Sequence, residues 1–344
     1  MGIVAIMPLT GPVSYLGQQE LAGLRVAVDE INASGGINGI QLQLIAEDTQ
    51  GNPKTAVTIA QKYAATKGIS LFVVTTSKAV KAVAPICEEA KIPLAAICSD
   101  PDITSLSPII FRPYMSFESE AALLGDFARS KKWKEVAFVR GDDEVFANEL
   151  KSFQKATGGS TVSVTSDESF AFGTRDFRTI FAKIAEKKPD AIVALGWGFE
   201  VPPLLEHYRQ TTQLTNTPVV GGYAFLTEPA LKGSQQLSDG VYVVAFEAAF
   251  ANERIQKLRQ TIREKTGVEP NQFIDFACTY DVPFLLKHAV TSVDKSVSII
   301  DALRAVKSFQ GVAGTYSLDQ ARDARLPLAL GQYQDGKLVK VFPQ

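Results

Sequence analysis

Residues 3–48 read IVAIMPLTGPVSYLGQQELAGLRVAVDEINASGGINGIQLQLIAED, and this stretch decides the fold. It opens with an apolar run, Ile3 to Met7, and apolar residues then recur at three and four positions from Leu21 to Ile31. The run predicts a buried strand, and the recurrence predicts a helix with one buried face. The glycines of segment 35–39 predict the end of that helix. Alternating apolar residues over 40–44 predict a second strand.

The same alternation of strand-like and helix-like patterns continues through most of the chain. Further strands are predicted at 71–74, 94–97, 136–139, 161–165, 191–195 and 241–245. Further helices are predicted at 53–63, 78–90, 117–131, 146–157, 175–187, 200–212, 252–266, 272–290 and 297–306. A hairpin with its turn at Asp335-Gly336 is predicted at the end of the chain. Strands separated by helices are typical of parallel sheets, and 344 residues exceed the size at which one hydrophobic core keeps growing. We therefore predict two doubly wound α/β lobes with parallel-rich sheets. If the late helices return to the first lobe, the chain crosses between the lobes more than once, and the crossings form a multi-strand hinge.

The composition excludes several classes of protein. The chain is 46% hydrophobic and 21% charged, with a formal net charge of -2, and no run of Lys or Arg provides the positive surface that nucleic-acid binding needs. The longest apolar runs are too short to span a bilayer. Because the chain begins almost directly in a strand without a signal-peptide pattern, we expect either a cytoplasmic protein or one whose leader was removed.

Catalytic and metal-binding motifs are missing from the sequence. The cysteines, Cys87, Cys98 and Cys278, are widely spaced and have no accompanying His cluster, so we predict no metal site, no disulfide framework and no cofactor. The two histidines, His207 and His288, lie within helical patterns. Neither a G-x-S-x-G elbow nor a phosphate-binding loop is present. We therefore expect that the protein is not an enzyme.

Several segments resemble a known family. They are Pro8-Leu9-Thr10-Gly11-Pro12, Gly17, Ala22-Gly23, 29–39, Glu47-Asp48 and Pro53 near the amino terminus, followed by 77–85, Arg112-Pro113, 142–147 and Thr279-Tyr280-Asp281. Together they resemble the solute-binding proteins that are similar to the leucine/isoleucine/valine-binding protein, which have the type I periplasmic-binding fold. The resemblance covers nearly the whole chain.

The resemblance implies a domain organisation and a function. Lobe I would comprise residues 1–116 and 248–327, lobe II would comprise 117–247 and 328–344, and a ligand cleft would lie between them. The protein would be the periplasmic or extracellular substrate-binding component of an ABC importer, a monomer that captures a small, largely apolar carboxylate by hinged closure and delivers it to a membrane permease. The ligand would be a hydrophobic or branched-chain amino acid, or an aromatic or 2-oxo acid.

Candidate ligand residues of the first lobe lie where predicted strands end. Thr76 and Ser77 stand between a strand end and a helix start, where free backbone N–H groups and the helix dipole favour an anion. Ser77 could instead merely cap the helix. Cys98 and Ser99 follow the next strand, and the resemblance implies that this loop supplies a carbonyl and a hydroxyl to the ligand. The loop is one residue shorter than the family pattern, which leaves the hydroxyl-bearing residue open, and Cys98 could be a small buried hydrophobic residue.

Aromatic residues are the candidates of the second lobe. The resemblance implies that Phe146 closes over the ligand, and Trp197 follows a predicted strand. Leu16 of the first lobe and Phe246 are further candidates for the apolar wall of the site. Each of these side chains could instead belong to the core of its lobe.

Tyr223 stands where amino-acid binders that resemble this chain carry an acidic residue for the ligand ammonium. Because a buried ammonium without a carboxylate partner is costly, this difference favours a ligand without an amine unless another acid substitutes. Asp275 and Asp100 are the candidate substitutes, and an ordinary solvated position is the alternative for each.

A second function remains open beside transport. The fold that the resemblance implies also occurs in receptor ectodomains and in repressor cores. A repressor would need a helix-turn-helix segment before the first strand, and an ectodomain would need a membrane span. A ligand-sensing module that partners a receptor is therefore the alternative to a transport protein, and an α/β enzyme is the third possibility.

Overall fold

The structure is a computed structural model that describes residues 1–250, 253–318, 322–324 and 326–343. The helices and strands in chain order are β1 Gly2–Met7, α1 Ser14–Ala33, β2 Gln43–Asp48, α2 Pro53–Ala64, β3 Ile69–Thr75, α3 Ser77–Ala90, β4 Leu94–Ile97, β5 Ile110–Phe111, α4 Phe117–Ser130, β6 Glu135–Gly141, α5 Glu144–Thr157, β7 Ser163–Phe170, α6 Arg178–Lys187, β8 Ala191–Leu195, α7 Val201–Gln210, β9 Val219–Gly221, α8 Glu228–Ser234, β10 Tyr242–Phe246, α9 Glu253–Thr266, α10 Phe273–Thr291, α11 Ile299–Arg304, β11 Phe309–Gln310, β12 Thr315–Tyr316, β13 Leu328–Gln334 and β14 Lys337–Phe342.

The chain divides into two compact units. Met1–Ser116 and Ala251–Pro327 form the first unit, here called lobe I, and Phe117–Phe250 and Leu328–Gln344 form the second, here called lobe II. The chain therefore passes from one unit to the other three times. Across the described ranges, no helix combines the length and the apolar character that crossing a membrane requires.

Within the described part of lobe I, five parallel strands form a sheet in the order β2-β1-β3-β4-β5. All six residues of β1 are buried, as expected for a central parallel strand that is covered on both faces. Val4 and Ile6 share a core with apolar residues of α2 and α3. Because side chains alternate along a strand, Ile3, Ala5 and Met7 face the opposite side of the sheet.

Helix α10 is the most deeply buried helix of lobe I. Most of its residues, including Asp275, Cys278 and Asp281, are buried, so it lacks the polar face of a surface helix. It packs closely against α1. A Cβ atom at Gly23 of α1 would clash with the carbonyl oxygen of Phe276, and this close approach of two backbones requires glycine.

Lobe II contains a seven-stranded sheet in the described residues, with the order β14-β13-β10-β9-β8-β6-β7. Strands β6 to β10 pair in parallel. Strands β13 and β14 form the antiparallel hairpin that the sequence predicts. Asp335 and Gly336 both have positive φ, 49° and 73°, which is the conformation that an Asp-Gly hairpin turn adopts.

The structure differs from the predicted elements where a segment is short or tightly turned. The strand predicted over 40–44 begins only at Gln43, because Ile37 and Ile40 exchange two backbone hydrogen bonds in a turn that leaves Ile40 half exposed. Strands β5, β9, β11 and β12 and helix α8 were not predicted. These strands have only two or three residues each, which is too short for a periodic pattern.

Candidate functional site

The four strand-end candidates of lobe I lie together at the carboxyl edge of its sheet. Strands β3 and β4 are parallel neighbours that end at Thr75 and Ile97. The backbone N–H of Thr76 donates to the Ile97 carbonyl at 3.2 Å, which joins the two loops. The Ser77 side chain is hydrogen-bonded to the Cys98 thiol, and burial raises the pKa of that thiol to about 11. Ligands of doubly wound sheets bind at this kind of edge.

Thr76, and not Ser77, is the N-cap of helix α3. The Thr76 hydroxyl accepts a hydrogen bond from the N–H of Ala79 at 3.4 Å, and Thr76 adopts φ 76° and ψ 139°. Positive φ is costly for a β-branched residue, by about 1–3 kcal/mol, and such strain concentrates at functional positions. The hypothesis that Ser77 merely caps the helix is therefore wrong, and Ser77 is the first helical residue, half-buried at the helix start.

The Ser99 hydroxyl is the clearest ligand candidate in lobe I. Ser99 is 4% exposed, and within the described residues its Oγ atom has no hydrogen-bond partner. A buried hydroxyl without a partner costs about 1–3 kcal/mol, and such a group in a native protein requires an explanation. An oxygen or nitrogen of a bound ligand would provide the missing partner.

Neither acidic substitute occupies a solvated position. Asp100 is 1% exposed and forms an ion pair with Lys81 at 2.8 Å, while its carbonyl accepts a hydrogen bond from Arg112. The expectation that Asp100 is a solvated surface residue is wrong, because its charge is already compensated within lobe I.

Asp275 is fully buried in lobe I, so the solvated alternative is wrong for this residue too. Its carboxyl group accepts hydrogen bonds from the Tyr114 hydroxyl at 2.8 Å and from the Gln272 side-chain amide at 2.9 Å. Burial raises the pKa of Asp275 to about 7. Burial, with Asp275 nearby, also raises the pKa of Glu20, whose carboxyl group accepts a hydrogen bond from Thr75. Asp275 therefore belongs to a buried carboxyl pair behind the strand edge.

Leu16 lies at the start of the helix that follows β1, and Phe246 lies at the end of a strand. Leu16 is in the first turn of α1, which follows β1, and is 5% exposed. Phe246 is the last residue of β10, is 3% exposed and pairs with Leu328 of β13. Both side chains are packed into their lobes, and each stands at a carboxyl edge.

Three of the aromatic candidates of lobe II, Phe146, Trp197 and Tyr223, belong to a continuous series of ring contacts, here called the aromatic row. Its ring centroids are separated by 5.1 Å between Phe199 and Phe172, 6.4 Å between Phe172 and Trp197, 5.7 Å between Trp197 and Phe146, 6.3 Å between Phe146 and Phe117, and 6.2 Å between Phe117 and Tyr223. These separations are within the range of favourable aromatic pairs. Phe146 and Phe117 are buried, Trp197, Phe199 and Tyr223 are half-buried, and Phe172 is 55% exposed. The sequence reasoning missed Phe117, Phe172 and Phe199, although Phe199 follows the predicted strand 191–195 as Trp197 does. Phe172 was harder to find, because β7 extends to Phe170, beyond the predicted strand 161–165.

Two buried glutamates hold the loops that carry the aromatic row. Glu200 accepts hydrogen bonds from the backbone N–H groups of Gly173 and Trp197, each at 2.8 Å. Glu120 of α4 accepts a hydrogen bond from the N–H of Tyr223 at 3.2 Å. Burial raises the pKa of Glu200, and it raises the pKa of Glu120 to about 8. The helical spacing of Glu120 from Phe117 places it on the buried face of α4, and this was a signal that the sequence offered.

A sequence model described as periplasmic binding protein matches residues 2–337. The chain belongs to the periplasmic binding protein family. In the part of this periplasmic binding protein that the structure describes, no group of three or more His, Cys, Asp or Glu side chains is arranged to hold a metal ion.

This periplasmic binding protein is similar to curated amino-acid-binding proteins. Leu/Ile/Val-binding protein homolog 3 of Brucella melitensis biotype 1 is 24% identical over 98% of this chain and 92% of the relative. The leucine-, isoleucine-, valine-, threonine- and alanine-binding protein of Pseudomonas aeruginosa is 27% identical, over 59% of this chain and 55% of the relative. These relatives are binding proteins and not enzymes, which confirms the prediction that the chain is not an enzyme.

The fold of this periplasmic binding protein also occurs in solved structures. The substrate-binding protein LivJ of Streptococcus pneumoniae, in complex with isoleucine, has a TM-score of 0.85 and 23% identity over 100% of this chain and 99% of that chain. A solute-binding protein of R. palustris, in complex with 4-hydroxybenzoate, has a TM-score of 0.86 and 20% identity over 99% of this chain and 95% of that chain. The predicted family and the predicted α/β fold class are therefore confirmed.

Proposed function

We propose that this periplasmic binding protein is the substrate-binding component of an ABC importer and that it captures a small, largely apolar carboxylate. The observation that carries the proposal is the buried Ser99 hydroxyl, which has no hydrogen-bond partner among the described residues. Ser99 lies in the loop after β4, the parallel neighbour of the strand that leads into α3. Ser77 stands at that helix start, where the helix dipole and free N–H groups favour a carboxylate. The two hydroxyls would hold the charged end of the ligand.

The apolar part of the ligand would contact the aromatic row of lobe II. In the proposed mechanism the ligand first docks on lobe I, and hinged closure of lobe II then covers it. Closure is a shift of population toward the state in which the ligand makes additional contacts. The binding of isoleucine and of 4-hydroxybenzoate by proteins of the same fold supports a test of both aliphatic and aromatic carboxylates.

The protein would act in the periplasm or outside the cell as a monomer and deliver its ligand to a membrane permease. The names of its relatives, which are binding proteins of this kind, support this role.

The acidic residues of lobe I bear on whether the ligand has an amine. Because Asp100 and Asp275 both have partners within lobe I, they do not supply the acidic side chain that is missing at position 223. This arrangement favours a carboxylate without an amine.

Isothermal titration calorimetry tests the proposal with three ligand classes: leucine and isoleucine, benzoate and 4-hydroxybenzoate, and 4-methyl-2-oxopentanoate. We expect saturable binding of at least one of them. The matching amides, leucinamide and benzamide, are the controls, and we expect no binding because they lack the carboxylate. Absence of binding by every carboxylate, or equal binding of carboxylates and amides, contradicts the proposal.

The substitution Ser77→Ala is expected to weaken carboxylate binding about tenfold, because a hydrogen bond to a charged group contributes about 1.5–3 kcal/mol. Calorimetry with the tightest ligand of the wild-type protein measures the change. Ser298→Ala is the matched control, since the Ser298 hydroxyl caps α11 of the same lobe by accepting from the N–H of Asp301. The control should lose stability and keep its affinity. An unchanged affinity in Ser77→Ala removes Ser77 from the site.

The substitution Ser99→Ala separates ligand binding from stability. Because the Ser99 hydroxyl has no partner in the described part of the chain, its removal is expected to change the free energy of unfolding of the ligand-free protein by less than about 0.5 kcal/mol or to raise it. Affinity for the carboxylate should fall at least fivefold. Thermal denaturation with and without ligand measures both quantities. A large loss of stability without a loss of affinity would assign the hydroxyl a purely structural role.

A further inference from the structure

Phe172 is unusual among the large apolar side chains of the described residues because it is both exposed and part of an aromatic cluster. The other exposed large apolar side chains are Ile40, Leu106, Val297 and Val339, and none of them is aromatic. Phe172 packs against Phe199 with an interplanar angle of 75° and against Trp197 with an angle of 70°. An exposed ring that continues a row of half-buried aromatic rings, in a loop after a parallel strand, lies at the edge of the sheet where ligands of doubly wound folds bind.

A buried carboxylate holds Phe172 beside Trp197. The two Glu200 oxygens accept one hydrogen bond from Gly173, the residue after Phe172, and one from Trp197 itself. Glu200 is 1% exposed. Removing a carboxyl group from water costs free energy, and well-formed hydrogen bonds such as these offset that cost. Glu200 also follows Phe199 directly in the chain. One side chain therefore ties together the loops after β7 and β8, which present all three rings.

We infer that Phe172 and Phe199 extend the ligand-binding surface of lobe II and select carboxylates that carry an aromatic ring, with Glu200 as the positioning residue. This inference rests on the proposed function and specifies its ligand class. Aromatic rings attract one another in edge-to-face arrangements beyond the effect of buried area. Phe172 is 55% exposed, so part of its ring is available to a further ring, whereas an aliphatic chain would gain from burial alone.

A pair of ligands of equal size separates the effect of aromaticity from that of apolar area. Benzoate and cyclohexanecarboxylate have the same carboxylate and the same number of heavy atoms, and only benzoate has a π-system. We expect the wild-type protein to bind benzoate about fivefold more tightly than cyclohexanecarboxylate. Phe172→Leu is expected to reduce this ratio to below about twofold, mainly through weaker benzoate binding. Val339→Ala, which alters an exposed apolar side chain of β14 in the same lobe, should leave the ratio unchanged.

The positioning role of Glu200 is tested with Glu200→Gln. Glutamine can accept only one of the two N–H hydrogen bonds with its carbonyl oxygen, because its amide nitrogen is a donor. We expect the ratio of the affinities for benzoate and cyclohexanecarboxylate to fall about threefold. If Glu200 had only a structural role, Glu200→Gln would lower the stability of the protein and leave this affinity ratio unchanged. The chain has two tryptophans, so in a Trp133→Phe background the fluorescence reports on Trp197 alone. Its emission in the ligand-free protein should shift in Glu200→Gln.

The possible results distinguish the inference from the proposed function. If carboxylates bind but Phe172→Leu and Glu200→Gln leave the ratio unchanged, the inference is wrong and the proposed function stands. Equal binding of benzoate and cyclohexanecarboxylate by the wild-type protein also overturns the inference alone. Failure of every carboxylate to bind overturns both.

Discussion

Asp281→Ala is expected to lower the free energy of unfolding by about 4 kcal/mol. The Asp281 carboxyl group of α10 is 1% exposed. It accepts hydrogen bonds from the backbone N–H groups of Val312 and Ala313, at 2.7 and 2.9 Å, and from the Tyr316 hydroxyl at 2.9 Å. Alanine would leave three buried donors without an acceptor, and each unsatisfied donor costs about 1–3 kcal/mol. Denaturant unfolding followed by circular dichroism measures the loss.

Asp294→Ala is the matched control for this prediction. Asp294 is an exposed residue of the same lobe whose carboxylate accepts from the N–H and the hydroxyl of Ser296. Because water can replace the carboxylate there, the control should lose less than about 1 kcal/mol. Asp281→Asn keeps one carbonyl acceptor, so its loss of stability should lie between those of Asp281→Ala and Asp294→Ala. If Asp281→Ala lost no more stability than Asp294→Ala, the three hydrogen bonds would not be what holds segment 312–316 to α10.

Glu149→Gln is expected to stabilise the protein at pH 7, by an amount on the order of 1 kcal/mol. Glu149 of α5 is 1% exposed, and within the described residues neither of its carboxyl oxygens has a hydrogen-bond partner. Burial raises the pKa of Glu149 well above its ordinary value of 4.5, and the neighbouring Glu120 raises it further. Folding above pH 4.5 therefore carries a free-energy cost, because this carboxyl group must either bind a proton or bury an unpaired charge, and the cost grows by up to about 1.4 kcal/mol for each pH unit until the raised pKa is reached. Glutamine is neutral at every pH and avoids this cost.

The pH dependence of the stabilisation by Glu149→Gln tests whether protonation of Glu149 causes it. Between pH 4.5 and the raised pKa, the folded protein holds a proton at Glu149 that the unfolded chain has released, so the stability of the wild-type protein falls as the pH rises through this range. The advantage of Glu149→Gln should be near zero at pH 4.5 and should grow as the pH rises toward the raised pKa. Glu186→Gln, at an exposed position of α6, should change stability by less than about 0.5 kcal/mol at every pH. A benefit that is independent of pH would refute the protonation argument.

Glu120 and Glu149 lie on the helix faces that also carry the aromatic row. Phe117 and Glu120 are three residues apart on α4, and Phe146 and Glu149 are three residues apart on α5, so each pair shares one helix face. The rings of Phe117 and Phe146 are in contact, and the two carboxyl groups interact one turn further along. The two carboxyl groups therefore lie on the same helix faces as two rings that we propose contact the ligand. Lobe I has a comparable buried pair in Glu20 and Asp275.

The long elements of both sheets were predictable because burial imposes a period on the sequence. The run Ile3–Met7 and the spacing from Leu21 to Ile31 correspond to β1 and α1. The rule that ligand-facing loops follow parallel strands placed Thr76, Ser77, Cys98 and Ser99 at one edge of the lobe I sheet, where the structure has them.

The state of the acidic residues was not predictable in the same way. Asp100 and Asp275 are hydrophilic by type, and a sequence-based expectation places such residues in solvent. Their burial depends on Lys81, Tyr114 and Gln272, and Tyr114 is 161 positions from Asp275 in the chain. No local sequence pattern predicts a contact between residues so far apart in the chain.

The sequence by itself determined the α/β class, the family and the strand ends that carry the hydroxyls of lobe I, because hydrophobic period and strand-end position are local properties. Only the tertiary structure decided that Thr76 is the helix cap, that Ser99 has a buried hydroxyl without a partner in the described chain, and that Glu200 ties Phe172 to Trp197. These features depend on hydrogen bonds and ring contacts between segments that are distant in sequence, and such contacts exist only once both segments are packed on the same sheet.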